Sequence, residues 1–355
     1  MERRNFIKQS AAGVMAMGMP LFPVIPAALE DTRFGVAEAS FMLRRYRKLE
    51  SAKYPQYRDA LEMIEHFDSL GFGGAQLTMH SMDSKLAKQI LKRRKALDFF
   101  MEGQIKLPQN VNDIPRFERQ VQETKAMDVD IIRTVCLSGR RYQNFKTLEA
   151  FQEFRAASEK SLQLAEPIMR KHRMKLAVEN HKDWRTEEFL EILTHLDSEW
   201  IGVTLDTGNN IALLEDPMEV VRALAPYAFT VHLKDMAVAE YEDGFLLSEV
   251  NLGDGFLDIK GMIAVLRKHN PAIRFNLEMI TRDPLKIPYL TKEYWATFDK
   301  ISATELAVFL SKLKKHNSEG ALPLISDKSV DEQLALEIHN NKISALFAKR
   351  NYGFS

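Results

Sequence analysis

Eight short apolar segments of β-type composition alternate with segments of helical hydrophobic period, and this alternation constrains the fold more than any other feature of the chain. The β-type segments cover residues 33–41, 73–80, 97–105, 130–137, 174–181, 200–206, 229–235 and 273–280. Strands that alternate with helices form parallel sheets, because each helix returns the chain to the same edge. A count of eight favours an α/β fold with a closed (β/α)8 barrel, in which functional side chains lie at the carboxyl ends of the strands.

An open, doubly wound sheet is the competing fold for such a pattern. That fold is expected to carry a glycine-rich phosphate-binding turn after its first strand. Here the first predicted strand is followed by Met-Leu-Arg-Arg at 42–45, without glycine. No Gly-x-Ser-x-Gly motif occurs, and Cys136 is the only cysteine, which excludes an intrachain disulfide and a thiolate metal cluster. The sequence therefore predicts the barrel.

The first 30 residues resemble a twin-arginine export signal. Arg3 and Arg4 are followed by an apolar stretch and then by small residues, in the order that such signals require. Prolines within the apolar stretch would interrupt a spanning helix, so no membrane anchor is expected. We therefore predict that residues 1–30 are a signal segment and that the protein is exported by the twin-arginine route to the periplasm.

The remainder of the chain divides into two predicted parts. Residues 31–318 are predicted to form the TIM barrel. Residues 319–355 are predicted to form a C-terminal helical extension, because their apolar positions recur at helical spacing. The extension is expected to pack on the barrel or on a second subunit, and a homo-oligomer is therefore a possible partner state.

The charge balance limits the classes of partner. Lys and Arg total 49, Asp and Glu also total 49, and the formal net charge is zero. A protein that holds nucleic acid through its charge needs a basic face. No nucleic-acid partner is expected for this chain, and a small molecule is the favoured partner.

Four polar residues lie at or near the carboxyl ends of four successive β-type segments in the second half of the chain: Glu179, Asp206, His232 and Glu278. In a (β/α)8 barrel these positions open on one shared mouth. Three carboxylates crowded in one mouth without compensation would repel one another. An oxygen-rich set with one imidazole suits one divalent metal ion, namely Mn, Mg, Co or Zn.

The motifs around these residues resemble the xylose isomerase-like TIM barrel superfamily, in its sugar isomerase/epimerase branch, over roughly residues 33–313. The motifs are Val-Glu-Asn-His at 178–181, Leu-Asp-Thr-Gly-Asn at 205–209, Val-His-Leu-Lys-Asp at 231–235, Leu-Gly-Asp-Gly at 252–255 and Leu-Glu at 277–278. The resemblance implies a divalent metal on the four residues named above. It also implies that Glu179 and Glu278 remove and return a substrate proton through an ene-diolate, and that His181 contacts substrate or orients a ligand.

Two positions depart from the pattern of that superfamily. Many epimerases have His three residues after the aspartate ligand, where this chain has Asn209, which can still hydrogen-bond a substrate hydroxyl. Many also place an Arg after the His ligand, where this chain has Lys234 and Asp235, a version that resembles the inosose dehydratase-like branch. Lys234 is therefore a candidate acid or base for water elimination or addition. The DNA-repair endonuclease branch needs additional His ligands and is not favoured.

The leading functional prediction is a metal-dependent isomerase or epimerase that acts on a small, unphosphorylated sugar or keto sugar. The alternatives are a metal-dependent lyase, dehydratase or hydratase on a 3-keto sugar or cyclitol, and a non-catalytic carbohydrate-binding barrel. Two further substrate contacts are predicted. His80 ends the second β-type segment, and Trp295 lies in an aromatic-rich segment at 282–299 that is a candidate lid loop.

Overall fold

The computed structural model describes residues 30–79 and 84–355. Residues 1–29 of the predicted export signal, and His80, lie outside the described residues and stay predictions. Within the described residues, eight parallel strands close into a barrel in which strands that are successive in the barrel order are also successive along the chain. The predicted α/β barrel fold is confirmed.

The strands are shorter than the predicted β-type segments, and each barrel strand lies inside one of them or begins one residue before it. The barrel consists of the first seven strands and the tenth. The strands are β1 (Phe34–Ala37), β2 (Gly74–Thr78), β3 (Phe100–Gln104), β4 (Ile131–Thr134), β5 (Lys175–Glu179), β6 (Ile201–Asp206), β7 (Ala228–Leu233), β8 (Asp235–Tyr241), β9 (Gly244–Val250), β10 (Arg274–Leu277) and β11 (Leu285–Ile287).

The helices begin at capping residues that the sequence supplies. Asp216 accepts from the N–H groups of the first turn and is followed by Pro217, and Ser302 accepts from the N–H of Glu305. The helices are α1 (Met42–Arg45), α2 (Ala60–Ser69), α3 (Ser84–Ala96), α4 (Ile114–Ala126), α5 (Arg141–Asn144), α6 (Leu148–His172), α7 (Thr186–Leu196), α8 (Pro217–Leu224), α9 (Ile259–His269), α10 (Lys292–Trp295), α11 (Ala303–Lys315) and α12 (Val330–Tyr352). Among the described residues, none of these helices has the length and apolar character needed to cross a membrane.

A small antiparallel sheet of order β11-β9-β8 extends from the carboxyl end of β7, and the sequence did not predict it. The hairpin of β8 and β9 pairs over its whole length, and β11 adds to β9. The segment 282–299, predicted to be a lid loop, therefore contains a strand and the short helix α10. The prediction was incomplete because β11 is ordered by pairing with a strand that is distant in sequence.

Helix α12 confirms the predicted C-terminal helix and lies against the segment that follows β1. The buried carboxylate of Glu337 accepts from the backbone N–H of Leu43 at 2.7 Å. The amide of Asn341 donates to the carbonyl of Ser40 at 3.0 Å. Because these bonds join residues about three hundred positions apart, they fix the helix to the start of the barrel.

Candidate metal centre

The four predicted ligands come together at the carboxyl end of the barrel. Glu179 and Asp206 are the last residues of β5 and β6, His232 is the penultimate residue of β7, and Glu278 directly follows β10. One ligand atom from each lies within 4.8 Å of all the others, and all four side chains are buried. Neighbouring parallel strands place their ends at one edge, and this explains why residues so distant in sequence meet.

Asp206 is held by the turn that follows its strand. Its Oδ1 accepts from the N–H of Gly208 at 2.9 Å and of Asn209 at 2.8 Å. A Cβ at Gly208 would lie 2.8 Å from Met236, so only glycine lets the turn approach this closely. The second oxygen, Oδ2, makes no hydrogen bond of good geometry, although the Nζ of Lys234 lies 2.8 Å away. Burial raises the pKa of Asp206 to about 6, and Lys234 opposes that shift.

His232 turns one ring nitrogen toward the cluster. Its Nε2 pairs with the side-chain oxygen Oε1 of Gln76 at 2.8 Å, and because an amide oxygen only accepts, Nε2 carries the proton. Its Nδ1 lies 3.3 Å from Glu179 and 3.3 Å from Glu278 and has no hydrogen-bond partner among the described residues. A ring whose far nitrogen is held by a second residue is the usual arrangement of a metal-ligating histidine.

The electrostatics of the cluster are those of a cation site. Burial alone lowers the pKa of His232, but Glu278 and Glu179 raise it to about 10, so the carboxylates favour a positive charge between them. Asp206 Oδ2 and His232 Nδ1 lack a hydrogen bond of good geometry among the described residues, although each has a charged neighbour, Lys234 at 2.8 Å for the first and the two glutamates at 3.3 Å for the second. Two buried donor atoms without a well-formed hydrogen bond fit a divalent cation.

Both glutamates are tied to a buried cation. The guanidinium of Arg133 donates to Glu179 Oε2, with Nε at 2.7 Å, and Asn209 donates to Glu179 Oε1 at 3.0 Å. Glu278 forms an ion pair with Lys234. Burial on its own raises the pKa of each glutamate, but Arg133 acting on Glu179 and Lys234 acting on Glu278 lower both below the ordinary range.

A polar cluster inside the barrel supports His232 from below. Gln76, which accepts from the histidine, donates its own amide to Glu102 Oε2 at 3.1 Å. Thr230 and Asn276 donate to the same oxygen at 2.9 and 3.0 Å. The sequence analysis missed these residues. Their only signal is a polar side chain within an apolar strand segment, as at Gln76 and Glu102.

His181 lies at the wall of a cavity of about 430 Å³ that also includes Glu278 and Lys182. Its Nδ1 donates to the carbonyl of Leu137 at 3.0 Å, which leaves Nε2 as an acceptor. Burial lowers the pKa of His181 to about 4, so the ring is neutral near pH 7. This placement is compatible with the predicted substrate contact, which stays a prediction.

Lys182 is a functional candidate that sequence reasoning missed. Its backbone adopts φ 65°, in the left-handed region that residues other than glycine rarely enter, and its side chain is buried. Its ammonium donates to Asn209 Oδ1, and so links the cavity wall to the ligand cluster. Burial, followed by the neighbouring charge of Lys234, lowers the pKa of Lys182 to about 8.

Trp295 is not brought to this cluster. Its indole N–H donates to the carbonyl of Tyr289 at 2.7 Å, and its ring packs on Tyr294 and Phe298 in the apolar core of the accessory sheet. It does not belong to the wall of the 430 Å³ cavity. Trp295 therefore packs against neighbouring aromatic side chains, and its predicted role as a substrate contact stays a prediction.

Comparison with known proteins identifies relatives of the same architecture. A family model described as xylose isomerase-like TIM barrel matches residues 106–299, which is more than half of the chain. The 3-oxo-isoapionate decarboxylase of Pectobacterium atrosepticum is 27% identical over 221 residues, which cover 61% of this chain and 76% of that protein.

Solved structures agree with the fold. A D-psicose 3-epimerase structure has a TM-score of 0.55 and 14% identity, and covers 90% of this chain and 99% of that chain. A xylose isomerase-like TIM barrel protein from Mycobacterium smegmatis in complex with magnesium has a TM-score of 0.53 and 14% identity, and covers 79% and 97%. At these identities the similarity establishes the shared fold.

Proposed function

Because the chain belongs to the xylose isomerase-like TIM barrel family, we propose that it is a metal-dependent isomerase or epimerase of a small, unphosphorylated sugar or keto sugar. The observation that carries the proposal is the cluster of Glu179, Asp206, His232 and Glu278, whose ligand atoms lie within 4.8 Å of one another at the barrel mouth. Small carbohydrates are the substrate class that the epimerase structures of the same fold suggest.

These four residues would hold one divalent ion, with Mn, Mg, Co and Zn as candidates. The donor set of three carboxylates and one neutral imidazole accepts each of these ions, and the similar protein from Mycobacterium smegmatis was solved with magnesium. When bound, such an ion supplies a Lewis acid for a carbonyl oxygen of the substrate. His232 fits the role only as neutral imidazole, with its proton on Nε2.

Glu179 and Glu278 are placed to move the substrate proton. Both carboxylates lie 3.3 Å from the same nitrogen of His232, so they flank one position from two sides. One carboxylate takes the proton from the carbon beside the carbonyl, and the bonding electrons form the ene-diolate of the substrate. The other carboxylate first takes up a proton from solvent and then delivers that proton to the opposite face or to the adjacent carbon. Arg133 and Lys234 hold the two carboxylates in place.

A lyase is the second candidate function, and the position of Lys234 favours it. Its ammonium lies between Asp206, at 2.8 Å, and Glu278, where a proton donor can serve a departing hydroxyl or a carbanion. The curated relative from Pectobacterium atrosepticum is a decarboxylase, which is also a lyase. Elimination of water from a keto sugar, its reversal as hydration, or loss of carbon dioxide from a keto sugar acid would use the same metal ligands.

Hydrogen exchange tests the proposal. The purified protein, loaded with Mn²⁺, is incubated with keto and aldo sugars in D₂O and followed by NMR. Deuterium that enters one sugar carbon without loss of atoms supports the isomerase or epimerase. A vinyl proton, or release of water or carbon dioxide, supports the lyase.

The same assay can also contradict the proposal. Sugar binding without any exchange or product in wild type would support the non-catalytic carbohydrate-binding barrel. Glu179→Gln is expected to abolish exchange. Glu102→Gln, a buried glutamate outside the ligand cluster, serves as the matched control and is expected to retain it.

We also propose that the protein is exported through the twin-arginine route to the periplasm. The support is the pair Arg3 and Arg4 ahead of an apolar stretch. Replacement of both by Lys is expected to retain the full-length protein in the cytoplasm in cell fractionation. Unchanged periplasmic recovery of the Lys–Lys variant would contradict the proposal.

A further inference from the structure

The cavity beside the metal ligands has a cationic wall. It is lined by four basic side chains, Arg47, Arg140, Lys182 and Arg282. Glu278, which belongs to the ligand cluster, and Asp283 are the acidic side chains of the same wall. The whole chain has a net charge of zero, so this concentration of positive charge is a local property of the cavity.

Two of the four cations are compensated. Arg282 forms an ion pair with the buried Glu249, with Nε 3.0 Å from Oε2. Arg47 makes no ion pair within 4.0 Å among the described residues, but it shares the wall with the carboxylate of Asp283. Counted with Glu249 and Asp283, the two cations Arg282 and Arg47 add no net charge.

Arg140 and Lys182 have no carboxylate within 4.0 Å among residues 30–79 and 84–355. Arg140 donates to the neutral Gln143 at 2.8 Å. Lys182, whose exposed fraction is 3%, donates to the neutral Asn209. A buried ammonium without a counter-ion is costly, and such a group is normally paired. The pair of residues therefore offers two positive charges to whatever fills the cavity.

The ligand cluster does not neutralise the positive charges of Arg140 and Lys182 once it holds a divalent ion. Its three carboxylates face the two cations Arg133 and Lys234, which leaves one negative charge. A divalent ion turns that balance positive by one charge. The loaded mouth, from ligands to cavity wall, is then positive by three charges, and a neutral sugar would leave all of them uncompensated.

We propose that the carbohydrate processed here is an acid, whose carboxylate is bound by Lys182 and Arg140 while its carbonyl end faces the metal ligands. The inference rests on the proposed function and narrows its substrate class from sugars in general to keto sugar acids. Arg140 supplies a planar fork that matches a carboxylate, and Lys182 supplies a buried point charge.

A carboxylate fits the wall better than a phosphate does. Phosphate sites commonly combine a helix N-terminus with a turn of free backbone N–H groups. Helix α12 begins beside the cavity, where Gln333 lines the wall. Its N-terminus is already capped by the side chain of Ser329, and Glu332 returns a carboxylate to the N–H of Ser329. The N-terminus of α12 is therefore not free for an anion, and the cationic side chains of the wall are the groups that would meet a carboxylate.

Calorimetry with three ligands that share a C2 ketone tests the inference. D-Fructose carries a hydroxymethyl group at C1, 2-keto-D-gluconate carries a carboxylate there, and D-fructose 1-phosphate carries a phosphate ester. The Mn²⁺-loaded wild type is expected to bind the keto acid roughly tenfold or more tightly than fructose, the range of charge-assisted hydrogen bonds. Equal affinities for the keto acid and fructose would overturn the inference. Tighter binding of the phosphate ester would overturn the assignment to a carboxylate.

Variants show whether the cationic wall causes the preference for the keto acid over fructose. Arg140→Gln and Lys182→Gln are each expected to remove most of the preference for the keto acid while fructose binding changes little. Arg222→Gln removes the same charge from the exposed outer face of α8 and is the control that should keep the preference. A preference that survives in both cavity variants would contradict the inference. Arg140 lies at a half-buried position and keeps the test usable if the Lys182 variant does not fold.

The experiment separates this inference from the proposed function. Metal stoichiometry and deuterium exchange with neutral sugars report on the ligand cluster. The ratio of affinities for keto acid and fructose reports on the wall. Exchange with fructose as substrate and no preference for the keto acid would leave the proposed function standing and remove only the substrate class.

Discussion

Buried glutamates lie in two regions of this barrel, and their partners differ. At the mouth, Glu179 and Glu278 face Arg133, Lys234 and His232, which hold the pKa of both carboxyls below the ordinary range. In the interior, Glu102 is equally buried but accepts only from neutral groups, and burial raises its pKa. Burial alone penalises a charged carboxylate in both places, so the neighbouring cations decide which glutamates stay ionised.

This difference in charged partners separates the two glutamates that are proposed to act on the substrate from the glutamate that supports its neighbours. An ionised pair of carboxylates at the mouth can ligate a cation and exchange protons with a substrate. Glu102 in the interior accepts hydrogen bonds from neutral groups and organises its neighbours, which here are Gln76 and, through it, His232. The same residue type is thus proposed to act on the substrate at the mouth of the barrel and orders hydrogen bonds in the interior.

The largest expected effect is on turnover. Glu278→Gln keeps the shape of the side chain but removes the proton acceptor, and turnover at saturating metal is expected to fall by roughly 10²–10⁴-fold. Steady-state kinetics on the substrate found by deuterium exchange measures it. Wild-type turnover in Glu278→Gln would contradict the proposed role of the mouth glutamates and, with it, the functional difference between the two regions.

A further buried glutamate, Glu337 in α12, tests the pKa argument through stability. Burial raises the pKa of Glu337 to about 7 from an ordinary 4.5, because only backbone N–H groups and the more distant charge of Arg44 oppose the shift. The folded state therefore favours the protonated form, and its contribution is fully present below about pH 4.5 and is lost as the pH rises through about 7.

Glu337→Gln should remove that pH dependence. Between pH 5 and 8 the wild type is expected to lose on the order of 2–3 kcal/mol relative to the variant, since one pKa unit corresponds to about 1.4 kcal/mol. Urea unfolding at both pH values measures the difference. Parallel pH profiles for the two proteins would show that Glu337 is not shifted.

The link between the two regions is Gln76, and its removal has an intermediate effect. Gln76→Leu leaves Nε2 of His232 without an acceptor, and metal affinity is expected to fall about 10–100-fold. Gln104→Leu, on the neighbouring strand and outside the histidine network, is the control expected to bind metal as wild type does. Equal loss in both variants would indicate a general packing effect.

The smallest effect is expected at Glu102. Glu102→Gln replaces the carboxyl with an amide of the same shape whose oxygen can accept the same hydrogen bonds, so the free energy of unfolding should change by no more than about 0.5 kcal/mol. Glu102→Leu leaves Gln76, Thr230 and Asn276 without their acceptor and should cost about 1–3 kcal/mol. A Gln variant as unstable as the Leu variant would mean that the charge of Glu102 matters.

The sequence was sufficient for the barrel and for the ligand cluster. Hydrophobic alternation located all eight barrel strands, and because parallel strands end at one edge, the ends of β5, β6, β7 and β10 had to meet. This is why the meeting of Glu179, Asp206, His232 and Glu278 at the barrel mouth was predictable from the sequence, while their role as metal ligands stays a prediction.

What the sequence could not give are partnerships between segments that are distant in the chain. Arg133 belongs to a strand of ordinary pattern, and the pairing of β4 with β5 places it on Glu179. Lys182 enters the cavity because of its left-handed backbone, which no periodicity predicts. Strand β11 is ordered by its pairing with β9. Trp295 packs against the apolar core of the same small antiparallel sheet.

The most direct test of the account is a titration of the metal-free protein with Mn²⁺, followed by calorimetry. One ion per chain is expected, with binding weakened at least about tenfold in Asp206→Asn, since that change removes one negative charge and a carboxylate oxygen from the ligand set. Glu102→Gln, the interior counterpart, is expected to bind as wild type does. Absence of stoichiometric binding in wild type, or equal affinities for the wild type and the Asp206 variant, would contradict a metal centre at the barrel mouth.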